Sequence, residues 1–394
     1  MDSKKITTLV KTHFHAPKTR FSATSKNLLY DIISQMGLAM NSWKQCETYT
    51  ETEDHTVIKG EHYNLIIPEI KSVLEQVPMV GKQYSFVIGS RKFVIHLVHP
   101  SHNRNPKKIF QWLDACIHKI YIWLYVADYY SVKECSPLLN IYIYFTDQKK
   151  KLGSGDIDKH NVNTAFTFSC ATYSNEINIF RKEEWFKVLI HECFHSFGLD
   201  FSSMQQEVIE NNMHTLFRGV KVPEFRVYET YCEMWAQLIN IIFTCVTEYT
   251  AENPLQLNNR ILLRMIESRV HTETLFSLFQ CAKIIEFTPG IQTYTDLYLG
   301  DSLYSENTQV FSYYILKSIC MFYCNDFIEW CAENNGGITF KQTPQNLLKF
   351  FQFIKYRYNS AKYLSVLKPV EEWIRNNRGV RTVEMTTMRM SITE

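Results

Sequence analysis

The chain has 394 residues, 45% hydrophobic and 14% aromatic, enough for a sizeable core and for two or three subdomains. A net charge of +2 lacks the basic excess of a duplex nucleic-acid binder, so no nucleic-acid partner is expected. No apolar run of signal-peptide length follows the opening residues, and the most apolar stretch, 235–246, is too short for a bilayer, so no membrane partner is expected either.

The first hundred residues read as mixed. Amphipathic spacing predicts helices over 25–40 and 64–76, and β-rich runs at 84–88 and 92–97 flank Gly89-Ser90-Arg91, a hairpin signal. Pro106 opens a helix predicted to reach Tyr130, and 138–145 reads as an apolar strand. The polar stretch 146–163, with Lys149, Lys150 and Lys151, reads as an exposed, solvated loop. Two short strands are expected at 163–170 and 176–180, one of them the edge of a cleft. A helix over 182–198 has Glu183 and Glu184 in its first turn, where acids suit the dipole, and Gly198 as its C-cap. Another helix is expected over 226–246, and beyond Pro254 the chain reads as almost entirely helical to Asn377. The pattern is α+β: an N-terminal region at 1–104, a core at 105–250, a helical C-terminal region at 251–380 and a tail at 381–394.

Eleven cysteines are scattered without paired short spacings. This argues for free thiols in a reducing, cytoplasmic setting. Cys320, Cys324 and Cys331 share a helical face and read as buried core thiols rather than a metal site.

Chemistry concentrates at His191-Glu192-Cys193-Phe194-His195, the motif H-E-x-x-H. On a helix, residues four apart lie on one face, so two imidazoles can grip one ion. Glu192 then reaches a water on that ion without being a ligand. Neutral imidazoles suit Zn2+, which keeps one position open in catalytic sites. The residues around the motif, 188–197, are apolar or small, as a helix buried against a sheet requires. The alternative reading is an amphipathic helix whose histidines merely face solvent or satisfied partners.

A third ligand is needed. The longer pattern H-E-x-x-H-x-x-G-x-x-H holds through Gly198 but has Phe201 where its last His belongs. Asp200 stands one residue short of that place. The better candidate is Glu229, 34 residues beyond His195. Glu229 and Glu233 share a helical face, so one can bind metal while the other accepts the N–H of a bound imidazole.

These residues resemble the gluzincin metallopeptidases, which carry H-E-x-x-H on one helix and a glutamate ligand on a later one. The spacing of Glu229 and Glu233 is similar to the later-helix motif of the anthrax lethal factor type. The resemblance covers 163–236 and implies a zincin-like catalytic core, a small mixed sheet plus active-site helix. It implies His191, His195 and Glu229 as zinc ligands, Glu192 as base, and Glu233 as a supporting carboxylate; Asp200 is expected close behind the ligands on its position in the chain alone. The run from Arg181 to Ser202 also looks like uncharacterised metallopeptidase-like proteins of giant DNA viruses, which would place the chain in host cytoplasm or virion. No residue matches the family's oxyanion-stabilising position. The function so implied is a zinc endopeptidase acting on a protein or peptide substrate. Two alternatives stand beside it. One is an inactive zincin-fold structural or interaction protein, a viral component on the weaker resemblance. The other is a nucleic-acid-associated protein using Lys107, Lys108 and the lysine loop.

Overall fold

The structure is a computed structural model, and it describes residues 2–44, 50–54, 59–101, 106–153, 157–222, 224–252, 258–300 and 304–394. Thr50–Asp54 (β1), Met79–Ile88 (β2), Arg91–Pro100 (β3), Leu138–Tyr144 (β4), Ala165–Thr167 (β5) and Ser174–Ile179 (β6) form one mixed sheet. Its order is β1-β2-β3-β4-β6-β5. β2 and β3 make the expected hairpin, turning at Gly89 with φ +59°. β3, β4 and β6 run parallel, whereas β5 is antiparallel to β6 and forms one edge. A parallel neighbour requires a crossover. Between β3 and β4 it is the long helix that opens at Pro106.

The helices are, in chain order, Asp2–His13 (α1), Ala23–Lys44 (α2), Pro68–Gln76 (α3), Pro106–Tyr130 (α4), Lys159–Val162 (α5) and Trp185–Ser196 (α6). Glu207–Leu216 (α7), Val227–Glu252 (α8), Asn259–Phe287 (α9) and Asp296–Leu299 (α10) follow. A π-helical turn, Phe311–Leu316, runs into Lys317–Phe322 (α11). Cys324–Asn335 (α12), Pro344–Lys355 (α13), Ala361–Asn376 (α14) and Val383–Thr386 (α15) complete the set. The protein is α+β. None of the described helices is long and apolar enough to cross a membrane.

One hydrophobic core runs from Ile6 to Ile392, joining the sheet's inner face to α2, α4, α6, α8 and α9. The apolar alternation of β4, with Leu139, Ile141 and Ile143 fully buried, supplies the sheet's share. A smaller cluster under α3 covers part of the other face, with Ile70 and Leu74 packed near Tyr144 and Val98.

Several expectations are corrected. The sheet crosses the expected boundary at residue 104, because β3 pairs with β4. α1, α7 and β1 were not anticipated, and the region beyond Pro254 breaks between α9 and the π-turn and again at 336–343. Lys150 is not solvated: its side chain is buried and ion-paired to Glu184. Glu184 in turn is not in the helix's first turn but precedes it in a left-handed conformation, φ +60°. Such a conformation is costly for a non-glycine residue, and it is held here by Lys150 and by the Met390 N–H, 3.0 Å away. Cys135 and Cys170 form a disulfide, against the expectation of free thiols alone. The other described cysteines, Cys320, Cys324 and Cys331 among them, are free and buried. The segment expected as a tail threads into the body instead. Met388 to Thr393 are buried, with Ser391 hydroxyl and Ile392 and Thr393 amides donating to Glu273.

Candidate metal centre

α6 lies between the sheet and α8, packed on β5 and β6 on one side and on α8 on the other. Every residue from Phe186 to Ser196 is buried. At its end Gly198 adopts φ +64°, with Leu199 N donating to Phe194 O and Gly198 N to His195 O, the two bonds of a Schellman cap. A Cβ there would stand 3.0 Å from Cys135 Sγ, so both conformation and space call for glycine. The cap turns the chain back so that Asp200 meets the helix it has just left.

His191 and His195, one turn apart, direct Nε2 atoms at a common point, 3.2 Å from each other. Glu229, from the first turn of α8, brings Oε2 to 3.0 Å from His191 Nε2 and 3.4 Å from His195 Nε2. Ligands on a tetrahedron with 2.0–2.1 Å zinc bonds lie roughly 3.3 Å apart. The three atoms therefore stand where ligands of one small cation would, and the donor set of two imidazoles and a carboxylate suits zinc.

The far nitrogens are also occupied. His195 Nδ1 lies 2.5 Å from Asp200 Oδ2, and His191 Nδ1 lies 3.1 Å from Glu233 Oε1, close enough for an ion pair though off the line of a hydrogen bond. Carboxylates behind imidazoles fix the ring orientation and raise ligand basicity. Asp200 is thus behind His195 rather than in the ligand trio. Of the two glutamates, Glu229 faces the shared point and Glu233 stands behind it. Cys232 Sγ approaches His195 Nδ1 at 3.8 Å and Asp200 Oδ2 at 3.5 Å. The 2.5 Å spacing of that second trio is a hydrogen bond and too short for two ligands of one ion.

Glu233 has further partners that the sequence reading missed. Lys187 Nζ donates to both its oxygens, at 2.8 and 2.7 Å, and Lys317 Nζ reaches Oε2 at 3.2 Å. Lysines are almost never fully buried unless paired, so a lone Lys187 in an apolar helix, one turn before His191, was the available signal. Lys317 and Tyr313 come from the π-turn and its exit. Such turns are frequent at functional sites, and the Tyr313 ring lies 6.0 Å from that of His191.

Charge follows from these contacts. Burial would raise the Glu229 carboxyl, but His195 and His191 outweigh it and hold the group well below the usual carboxylate range. Burial likewise opposes ionisation of Glu233, and Lys187 and Lys317 reverse it. Burial opposes the charge on His191, yet Glu229 and Glu233 raise it to about 9. For Glu192 burial outweighs the lowering by His191 and His195 and pushes its carboxyl up. Tyr313 is raised by burial and then by Glu229, Glu192 and Glu233, so its hydroxyl keeps its proton.

His191, Glu192, His195 and Glu229 are 6–8% exposed. A small groove lies beside His191 and Glu192, bordered by Asn163 to Ala165 at the edge strand. Lys107 and Lys108 are exposed and far along the chain from this centre. No family model, no curated protein and no solved structure matches this chain.

Proposed function

We propose that this protein is a zinc-dependent peptidase with a zincin-like core of the gluzincin kind, in which His191, His195 and Glu229 hold the metal. The observation that carries the reading is the near-equal 3.0, 3.2 and 3.4 Å spacing of three ligand atoms about one point. A buried carboxylate needs positive charge beside it; protons on the two imidazoles supply it in the metal-free protein, and a bound cation would take their place.

Zinc in such a site lowers the pKa of water toward neutrality and polarises a carbonyl. Within this chain, Glu192 takes the proton of the attacking water and passes it to the leaving amine. A base used in this way works best with a pKa near the operating pH, and burial moves Glu192 in that direction. Tyr313 keeps its proton beside the site and supplies a hydrogen bond to the oxygen on which charge develops, a role the sequence alone left unassigned. Asp200 and Glu233 hold the two imidazoles in place. β5, at the sheet edge, offers backbone groups to an extended peptide.

Replacing Glu192 by Gln tests this reading. Hydrolysis of a peptide library should be lost while zinc stays near one per chain. Undiminished turnover would reject the mechanism. The low exposure of the four central residues favours one second reading, a zinc that only stabilises an interaction protein. In that case the wild-type protein would bind zinc and cut nothing.

A further inference from the structure

The groove beside the candidate metal centre has a volume of about 60 Å³. Val188 and Glu192 of α6, Thr164, Tyr313 and Met390 line it with His191, and the ion-paired Lys150, Lys187 and Glu233 border it as well. Met390 arrives from the segment 387–393, which wraps back against α6. Its position is set by main-chain bonds: its N–H donates to Glu184 Oε1 at 3.0 Å, and its carbonyl accepts from Lys317 Nζ at 2.7 Å. Its sulfur lies 3.7 Å from Lys187 Nζ, so the side chain packs against α6. Thr164 is 4% exposed, and its hydroxyl has no hydrogen-bond partner among the described residues. A buried hydroxyl without a partner is disfavoured, so a bound group that answers it is favoured.

Building on the peptidase reading, we propose that this cavity receives the side chain beside the scissile bond and admits only a small one: glycine, alanine or serine. Met390 is the wall that sets the limit. A cavity of roughly 150 Å³ is what a benzene ring occupies, and this one is less than half that size, so an aromatic or a leucine side chain overfills it. Overfilling a packed wall costs binding. Serine adds a hydroxyl that can answer Thr164. The substrate class is thus a peptide with a small residue at the cleavage point, a sequence type common in extended, glycine-containing linkers between folded units.

The experiment uses the zinc-loaded full-length protein and a mixed peptide library, with cut positions read by mass spectrometry. Wild type should cut beside Gly, Ala or Ser at least tenfold faster than beside Leu or Phe. Met390→Ala, which enlarges the cavity, should narrow that ratio by about tenfold by admitting Val and Leu. Val188→Ala enlarges the same cavity from α6 and should act in the same direction, which keeps the idea testable if Met390→Ala does not fold. Efficient wild-type cleavage beside Leu or Phe would overturn the inference and leave the peptidase reading standing. Unchanged preference in both folded variants would also overturn it. A wild-type protein that binds zinc and cuts no peptide would overturn both.

Discussion

Lys187 Nζ lies 2.7 Å from Glu233 Oε2. The other oxygen of that carboxylate is 3.1 Å from His191 Nδ1, so a buried cation is tied to an imidazole one turn further along its own helix. Removing one partner of a buried pair costs about 3–5 kcal/mol, because the other charge stays behind unanswered. Lys317 remains to shield Glu233, so Lys187→Met should destabilise the protein by about 3 kcal/mol, at the low end, as read by urea unfolding. Adding Glu233→Leu should recover part of the loss. A double variant as unstable as the sum of the singles would show that the two side chains do not act as a pair.

Zinc binding should release protons. His191 in the metal-free protein holds its proton up to about pH 9, and a ligand nitrogen must be unprotonated. Below that pH the proton competes, so apparent zinc affinity should rise with pH through the neutral range. Calorimetry at pH 7 in buffers of different ionisation heat should give about one proton or more released per zinc. Zero release, or affinity that falls as pH rises from 6 to 8, would contradict this arrangement.

Tyr313→Phe isolates a hydroxyl from the ring that carries it. Loss of a hydrogen bond made to developing charge costs on the order of 100- to 1000-fold in kcat. Zinc content and KM should change little, since neither ligand set nor groove is altered. A variant with full kcat and a raised KM would reassign Tyr313 to substrate binding.

Glu306 gives the fold a pH dependence away from the candidate metal centre. Its carboxylate accepts from Tyr304 hydroxyl and Phe311 N–H, both at 2.6 Å, at the start of the π-turn. Burial raises it to about 7, above an ordinary value of 4.5. The folded state thus binds the proton more tightly, and the stability gained is fully present below pH 4.5 and lost as pH rises to about 7. The limit is roughly 3 kcal/mol. Glu371, raised to about 7 by burial, titrates over the same window. Glu306→Gln should flatten only part of the wild-type slope between pH 4.5 and 7, measured by unfolding at a series of pH values. An unchanged slope would remove Glu306 as its source.

The parts of this site that sequence made legible are those set by local spacing. His191 and His195 share a face because four residues make about one turn, Glu229 and Glu233 share one for the same reason, and Gly198 marks a helix end through its backbone alone. The apolar flanks of the motif likewise announced a buried helix. What escaped depends on distant chain meeting distant chain. Lys150 reads as one of three solvated lysines until Glu184 is seen beside it, and Tyr313 is one of 23 tyrosines with no spacing to single it out. Cys135 and Cys170 carry no motif either; the ends of α4 and β5 bring them together.

Glu184 and Glu273 each accept main-chain N–H groups from residues 390–393. A ribosome delivers those residues after every helix and strand that they join. Until then both carboxylates lack part of their bonding, and the helix that bears the H-E-x-x-H motif lacks one of its clamps. A chain cut before residue 387 should therefore unfold at lower urea than the full chain, as Glu184 and Glu273 lose these donors.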